Sequence, residues 1–514
     1  VDDLTAPEQR VWNAFPHSRP ADLAGAPVRA EVLAALALGV RPGAPGRTPA
    51  IRLFNARITG LLDLSLATVP HPLILVDCAF EQPPTLDGAH LPALTLVNTR
   101  LPALQAVGTH INGGLSLRGS HVEGPLRLNV AKVGGILDLS GTRLANPGGV
   151  AFDGDGLTAE DGLFAHRLES SGEFRLQDAG IGRRCDLTAA RLGNPGKVAL
   201  SLSGASLNGP LMLKEAEVTG EIVLTDAQVG GTISFKNAHV SNPGSAAVSA
   251  ARIRTDGKVD CCEGFVAAGR VSFTSAEIGR DLCFDGARVE GNLELKRSRS
   301  GVLRLGETTR ILGRADLRHA STGVLADYPS AWPGSVRLDG FAYDSLHRPM
   351  PVAGRLQLLM RDTDGYIPQP YEHLAAVYRR TGHDAAARDV LLAKQRRRRG
   401  IQQVPLRIWG FLQDWTVGYG YRPQRAAAWL VALLALGTVV FAGHHPPSLK
   451  KDETPGFNPF LYALDLLLPI VSFGQESAFA PRGGYQWLAS ALTASGWILA
   501  TTIIAGASRV LSRQ

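Results

Sequence analysis

The sequence predicts a mainly β protein: a parallel β-helix solenoid with an N-terminal helical cap, a helical hairpin and a C-terminal two-helix transmembrane domain. Three observations predict it. An eleven-residue unit, x-V-x-G-x-L-x-L-x-x-A, recurs between 57 and 298, as in HVEGPLRLNVA (121–131), KVGGILDLSGT (132–142), EVTGEIVLTDA (217–227) and RVEGNLELKRS (288–298). A longer beat lies over it, because Asn146-Pro147-Gly148, Asn194-Pro195-Gly196 and Asn242-Pro243-Gly244 follow one another at 48-residue intervals. Periods of this size belong to solenoids. Two uncharged apolar runs, 426–443 and 485–507, then stand near the C-terminus, and about 20 such residues span a bilayer.

Residues 1–50 read as the cap that an open stack of strands needs at its end. Thr5 and Glu8 have capping-box spacing, and RAEVLAALALG (29–39) reads as a short helix. Residues 51–306 are the solenoid. Val at position 2, Leu at 6 and 8 and Ala at 11 alternate with polar residues, the mark of short strands with one buried face. Glycine between them permits a corner. Two units close one roughly four-sided coil, and about a dozen coils at ~4.8 Å each make a rod on the order of 55 Å long. The NPG segments read as loops at one corner. Residues 307–355, with Trp332-Pro333-Gly334, read as an irregular C-terminal cap.

Residues 356–400 read as a helical hairpin with a basic end. Leu374, Ala375 and Tyr378, then Ala386, Val390 and Leu391, have amphipathic spacing around Gly382. Residues 401–425 read as a juxtamembrane interfacial segment and 426–514 as the transmembrane domain. Within the latter, FNPFLYALDLLLPIV (457–471) is apolar but short. It reads either as an interfacial amphipathic helix or as a re-entrant helix followed by a polar turn. On the second reading Asp465, Ser472, Phe473, Gly474, Gln475 and Glu476 are candidate pore residues, Asp465 because a carboxylate facing lipid is costly. Thr416-Val417-Gly418-Tyr419-Gly420-Tyr421 has the letters of a potassium filter. It precedes the first span, where no pore helix stands before it, and reads as an interfacial turn.

Charge separates the two halves. The chain has 53 basic and 46 acidic residues, a net charge of +7. Lys394, Arg396, Arg397, Arg398, Arg399, Arg407, Arg422 and Arg425 against Asp414 account for all of that excess, leaving 45 of each sign elsewhere. A nucleic-acid-binding rod needs a basic stripe, so no nucleic-acid partner is expected. The eight cations instead flank the first apolar run and are candidates for contact with anionic lipid headgroups, at ~1 kcal/mol each. The positive-inside rule then puts the rod and the C-terminus in the cytoplasm, with the chain multi-pass in a plasma membrane. The first residues do not read as a secretory signal. The five cysteines (Cys78, Cys185, Cys261, Cys262, Cys283) lack zinc-type spacing and read as reduced thiols.

Catalytic patterns are sparse. Asp63, Asp138 and Asp186 share an outward slot that would align along the rod, at separations an acid/base pair could use. His71, His90, His110, His121, His166 and His239 are scattered. No cofactor or metal motif is found among the residues, so no cofactor is expected and the activity expected is none.

The repeats resemble pentapeptide-repeat and bactofilin-like β-helices in style, without the strict five-residue motif. The Leu-Ala-x-x-Tyr-Arg-x-x-Gly pattern at 374–382 resembles one tetratricopeptide hairpin. YEHLAAVYRRTGHDAAARDVLLAKQRRRR, WGFLQDWTVGYGYRP and FNPFLYALDLLLPIVSFGQ resemble a family of bacterial integral-membrane β-helix proteins, some labelled membrane-associated oxidoreductases. The resemblance implies the two-span topology. The leading expectation is a membrane-anchored cytoplasmic scaffold with an unknown protein partner. The alternative is a subunit of a homo-oligomeric two-span pore, and an oxidoreductase is the remote one.

Overall fold

A computed structural model describes residues 3–348, 350–400, 403–421, 423–449, 455–468 and 471–511. The chain divides into two compact units, 1–365 and 366–514.

In the first unit, residues 51–346 form a parallel β-solenoid of about 13 turns. Each strand pairs with the equivalent strand one coil later: Leu104 with Leu126, His121 with Arg143, and Leu115 with Leu137. The strands make two parallel sheets of 23 and 18 strands. The Leu-x-Leu motif explains the interior. Leu115, Leu137, Leu163, Cys185, Leu211, Ile233, Val259, Leu282, Leu303 and Leu325 form one unbroken ladder, each member opposite the next. All ten are buried, and each buried side chain of this kind contributes about 1.5–3 kcal/mol.

The 48-residue beat now has a physical reading. His121 pairs with Arg143 at an offset of 22, and Arg143 pairs with Glu169 at an offset of 26. Short and long coils alternate, and the NPG segment supplies the four extra residues as a bulge inside Arg143–Asp153, Arg191–Ser201 and His239–Ser249. The Asn side chain closes each bulge by donating to the carbonyl four residues on: Asn146 to Val150, Asn194 to Val198, Asn242 to Ala246. Gly148, Gly196 and Gly244 take the positive φ that the turn requires.

The N-terminal cap has the expected capping box, with Ala6–Ala14 led by Thr5 and Glu8, and a second helix at Ala30–Ala37. Glu8 is buried beneath Arg29 and accepts its Nε–H at 2.8 Å. The guanidinium of Arg29 holds the Glu8 carboxyl pKa down at about 2.

At the other end the ladder runs on past 306, into the stretch expected to be irregular. Arg310–Ile311 and Ala315–Asp316 pair with the coil before, and Ser321–Asp327 pairs with Ala342–Leu346 of the coil after. RILGRADLRHA (310–320) keeps the eleven-residue register but places Ala315 where other units carry Leu, which hides it from a pattern keyed to Leu. Closure comes later, from the helix Val352–Met360. Its Arg355 donates to Asp327 through Nη1 at 2.6 Å and Nη2 at 2.7 Å, and Trp332 Nε1–H donates to the same carboxylate at 2.7 Å.

The second unit is helical. Pro368–Arg380 and Asp384–Gly400 form the expected hairpin around Gly382, which sits at φ +77°. Ala387 takes the buried place expected of Ala386, while Leu374, Ala375, Tyr378, Val390 and Leu391 are buried as expected. Val404–Val417 follows, and Gly418–Gly420 turns the chain into Pro423–Gly443. Of the filter-like letters, Thr416 and Val417 thus end one helix and Gly418–Gly420 turn the chain into the next.

Among the described residues, one helix is long and apolar enough to cross a membrane, Gln424–Gly443, not the two expected. The expected span 485–507 lies in Gly484–Leu511. Its described part carries Gln486, Ser490, Thr493, Ser495 and Thr501, and these hydroxyls and the amide dilute its hydropathy. The side chains from 502 on lie outside the described residues.

Candidate functional site

Three helices of the second unit pack together: Pro423–Gly443, Pro459–Leu467 and Gly484–Leu511. Phe441, Tyr462, Leu466, Leu467, Phe479 and Leu492 are buried where they meet. Two glycines permit the close approach. A Cβ on Gly437 would lie 2.9 Å from that of Ala463, and one on Gly496 would overlap the Leu467 carbonyl oxygen. The short helix is thus wedged between the two long ones.

The candidate pore residues come together at its end. Asp465 is buried, and its two oxygens accept the backbone N–H groups of Phe473 at 2.8 Å and Glu476 at 2.7 Å. Gln475 is also buried; it accepts the Asn458 N–H and donates to the Gly456 carbonyl, both at 3.2 Å. Asn458 in turn caps the short helix. Ser472 accepts from the Gly474 N–H at 3.3 Å, and Gly474 takes φ +80°. Phe473 and Glu476 are exposed. Asp465 is a clamp on the 472–476 turn, and this satisfies the carboxylate that sequence reasoning flagged as costly.

The candidate headgroup contacts divide. Arg396 donates to both Asp414 oxygens, at 2.9 Å each from Nε and Nη2, and Arg399 adds a third contact at 3.2 Å. Burial opposes ionisation of Asp414, but the two guanidiniums outweigh it and hold the carboxyl below its ordinary value. Lys394 pairs with Glu372, and Arg425 reaches the Asp414 carbonyl at 3.4 Å. Arg398 and Arg407 are exposed, and Arg397 is half-buried. Arg422 lies outside the described residues.

In the solenoid, the three slot aspartates do not form one row. Asp138 and Asp186 share a face with Phe164 between them, while Asp63 bridges to Thr85 on the other sheet. Asp138 and Asp186 stand two coils apart, about 9.6 Å at ~4.8 Å per strand. Each also makes local hydrogen bonds. Asp63 and Asp138 accept from the N–H two residues on at 2.9 Å. Asp186 is held by Thr188 Oγ1 at 2.6 Å and lies 3.3 Å from His166 Nε2. These are turn-forming carboxylates.

The cysteines differ from expectation. Cys78, Cys185 and Cys261 are buried thiols, and burial pushes Cys185 up to about 12. Cys262 and Cys283, expected to be reduced, are joined by a disulfide between adjacent coils. Their 21-residue separation is nearly one coil, which places both on one face. Spacing rules built for metal loops miss such a pair; the coil length itself is the signal that finds it. Asp260 stands beside them, and its carboxylate and both sulfurs lie within 4.8 Å of one another.

No protein-family model, curated protein or solved structure matches the chain.

Proposed function

We propose that the chain is a membrane-anchored scaffold, in which the solenoid presents an interaction surface and the helical unit holds it at a bilayer. The observation that carries this reading is the helix Gln424–Gly443, uncharged from Ala426 on, with only 17% of its apolar stretch buried. Val431 and Val439 are exposed at 63% and 72%, and water is a costly surrounding for such a surface. The exposed Arg398 and Arg407 on the preceding segments suit an anionic headgroup layer, and the positive-inside rule then puts the rod on the cytoplasmic side of that helix. The regular interior, filled by stacked Leu, Ile, Val and Phe side chains, favours a binding surface over a catalytic cleft.

Membrane fractionation tests it. The protein should remain with membranes through high salt and alkaline carbonate and enter solution only with detergent. Val431→Lys with Val439→Lys, each costing about 2.5–3.5 kcal/mol at the centre of a span, should release it. Release of the unaltered protein by salt alone refutes the anchor.

A second reading, the oligomeric two-span pore, draws support from the wedged helix and the clamped polar turn. A pore needs several copies around it, so a strict monomer in detergent excludes it. An oligomer whose ion conductance falls on Gln475→Ala supports it.

A further inference from the structure

We propose that Asp260, Cys262 and Cys283 form, in the reduced protein, a site for one thiophilic divalent cation of the zinc class. The site lies in the solenoid, so the proposal stands whether or not the anchor reading does.

The face of the rod assembles it. Ser234, Asp260 and Cys283 follow one another in register on three successive coils, and Cys262 stands two residues after Asp260 on the middle one. All four are buried, with Cys262 and Cys283 exposed by 8% and 7%. Two sulfurs and one carboxylate oxygen within 4.8 Å of one another match the soft-plus-hard donor set that zinc accepts. Zinc thiolates at ~2.3 Å in tetrahedral geometry stand about 3.8 Å apart, a separation that the two side chains reach by rotation once the S–S bond opens.

A disulfide staple alone needs none of the polar groups around it. Asp260 Oδ2 carries an ion pair with Lys258 at 2.8 Å, while Oδ1 accepts only a long 3.4 Å bond from the Cys262 N–H. Ser234 Oγ is a buried hydroxyl, 1% exposed, without a partner among the described residues. It is the neighbour of Asp260 along the row and can hold a water in the fourth position that three protein ligands leave open. Lys236 and Lys258 both stand within 4.0 Å of Asp260, and ammonium groups favour thiolates over thiols.

The chemistry balances. An external dithiol gives two electrons and two protons to the Cys262–Cys283 bond, producing two thiols and becoming a disulfide itself. Binding of M2+ then releases both thiol protons to solvent and leaves a bis-thiolate complex. The same pair is therefore a staple when oxidised and a ligand set when reduced.

Full-chain protein in detergent, reduced with a phosphine so that no added thiol competes, is titrated with Co2+ and then with Zn2+. One Co2+ per chain with a thiolate-to-cobalt charge-transfer band, appearing only after reduction and abolished by Zn2+, is the expected result. Cys185→Ser keeps the band. Cys283→Ser and Cys262→Ser each remove it with unchanged far-ultraviolet circular dichroism. Asp260→Asn weakens Co2+ binding by about tenfold or more. A reduced protein with no band overturns the proposal, as does a band that survives in both cysteine variants or binding that is equal before and after reduction.

Discussion

Arg355→Met would break the seal at the C-terminal end of the solenoid. Arg355 and Asp327 are 3% and 0% exposed, joined by two hydrogen bonds of 2.6 and 2.7 Å. Methionine fills a similar volume but leaves the Asp327 carboxylate buried with the Trp332 N–H beside it. An uncompensated buried charge of this kind costs about 3–5 kcal/mol. A solenoid transmits such a loss mainly to neighbouring coils, so the last strands should open more readily while the first do not. Native-state hydrogen exchange reads this directly. Protection in Ser321–Asp327 and Ala342–Leu346 should fall by roughly two to three and a half orders of magnitude, with Leu73–Val76 unchanged. Arg355→Met combined with Asp327→Leu removes both charges and leaves the Trp332 N–H unmatched, at about 1–3 kcal/mol. The double variant should therefore be more stable than the single one. A single variant that loses less than tenfold protection, or a double variant worse than it, would refute the reasoning.

The opposite cap should respond to acid. Glu8 titrates near pH 2 in the folded chain against an ordinary 4.5, so its contribution, up to about 3 kcal/mol, is complete above pH 4.5 and disappears as the pH falls through about 2. Glu8→Gln should be less stable at neutral pH and lack this acid-sensitive component in a denaturation series. Gly209→Ala should destabilise the rod by at least ~1–3 kcal/mol, because the added Cβ would overlap the Arg183 carbonyl oxygen. Gly180→Ala, whose nearest neighbour is Thr158 at 3.9 Å, should be far milder in urea. Asp414→Asn frees Arg396 and Arg399 from their carboxylate. At ~1 kcal/mol per basic residue, the partition onto anionic vesicles should tighten by about thirtyfold at low salt, with neutral vesicles indifferent; no change would argue that these arginines do not face lipid.

The solenoid was legible because its interior positions are apolar in nearly every unit, so a short pattern repeats loudly. Legibility failed where one residue fell out of pattern, as at Ala315, although backbone pairing continued regardless. The pairing of Cys262 with Cys283 is set by coil length rather than by local spacing, and a reading keyed to neighbouring residues cannot find it. Asp465 stands out in the sequence as a carboxylate in an apolar stretch. Its partners, the backbone N–H groups of Phe473 and Glu476, depend on how the chain turns after Leu468 and leave no mark in side-chain chemistry. The same holds for Arg396 and Asp414, eighteen positions apart, which meet only because the helix Val404–Val417 folds back on its predecessor.

The one-coil register of the strands also bears on synthesis. Within the solenoid each strand finds its partner 20 to 27 residues behind it, so each new coil needs only the coil already made. At a translation rate of ~5–20 residues per second, a coil leaves the ribosome roughly every one to five seconds, after the coil it pairs with. The N-terminal cap emerges first and offers a finished template. The open edge is then always the newest coil, shielded by the ribosome until Arg355 arrives to close it.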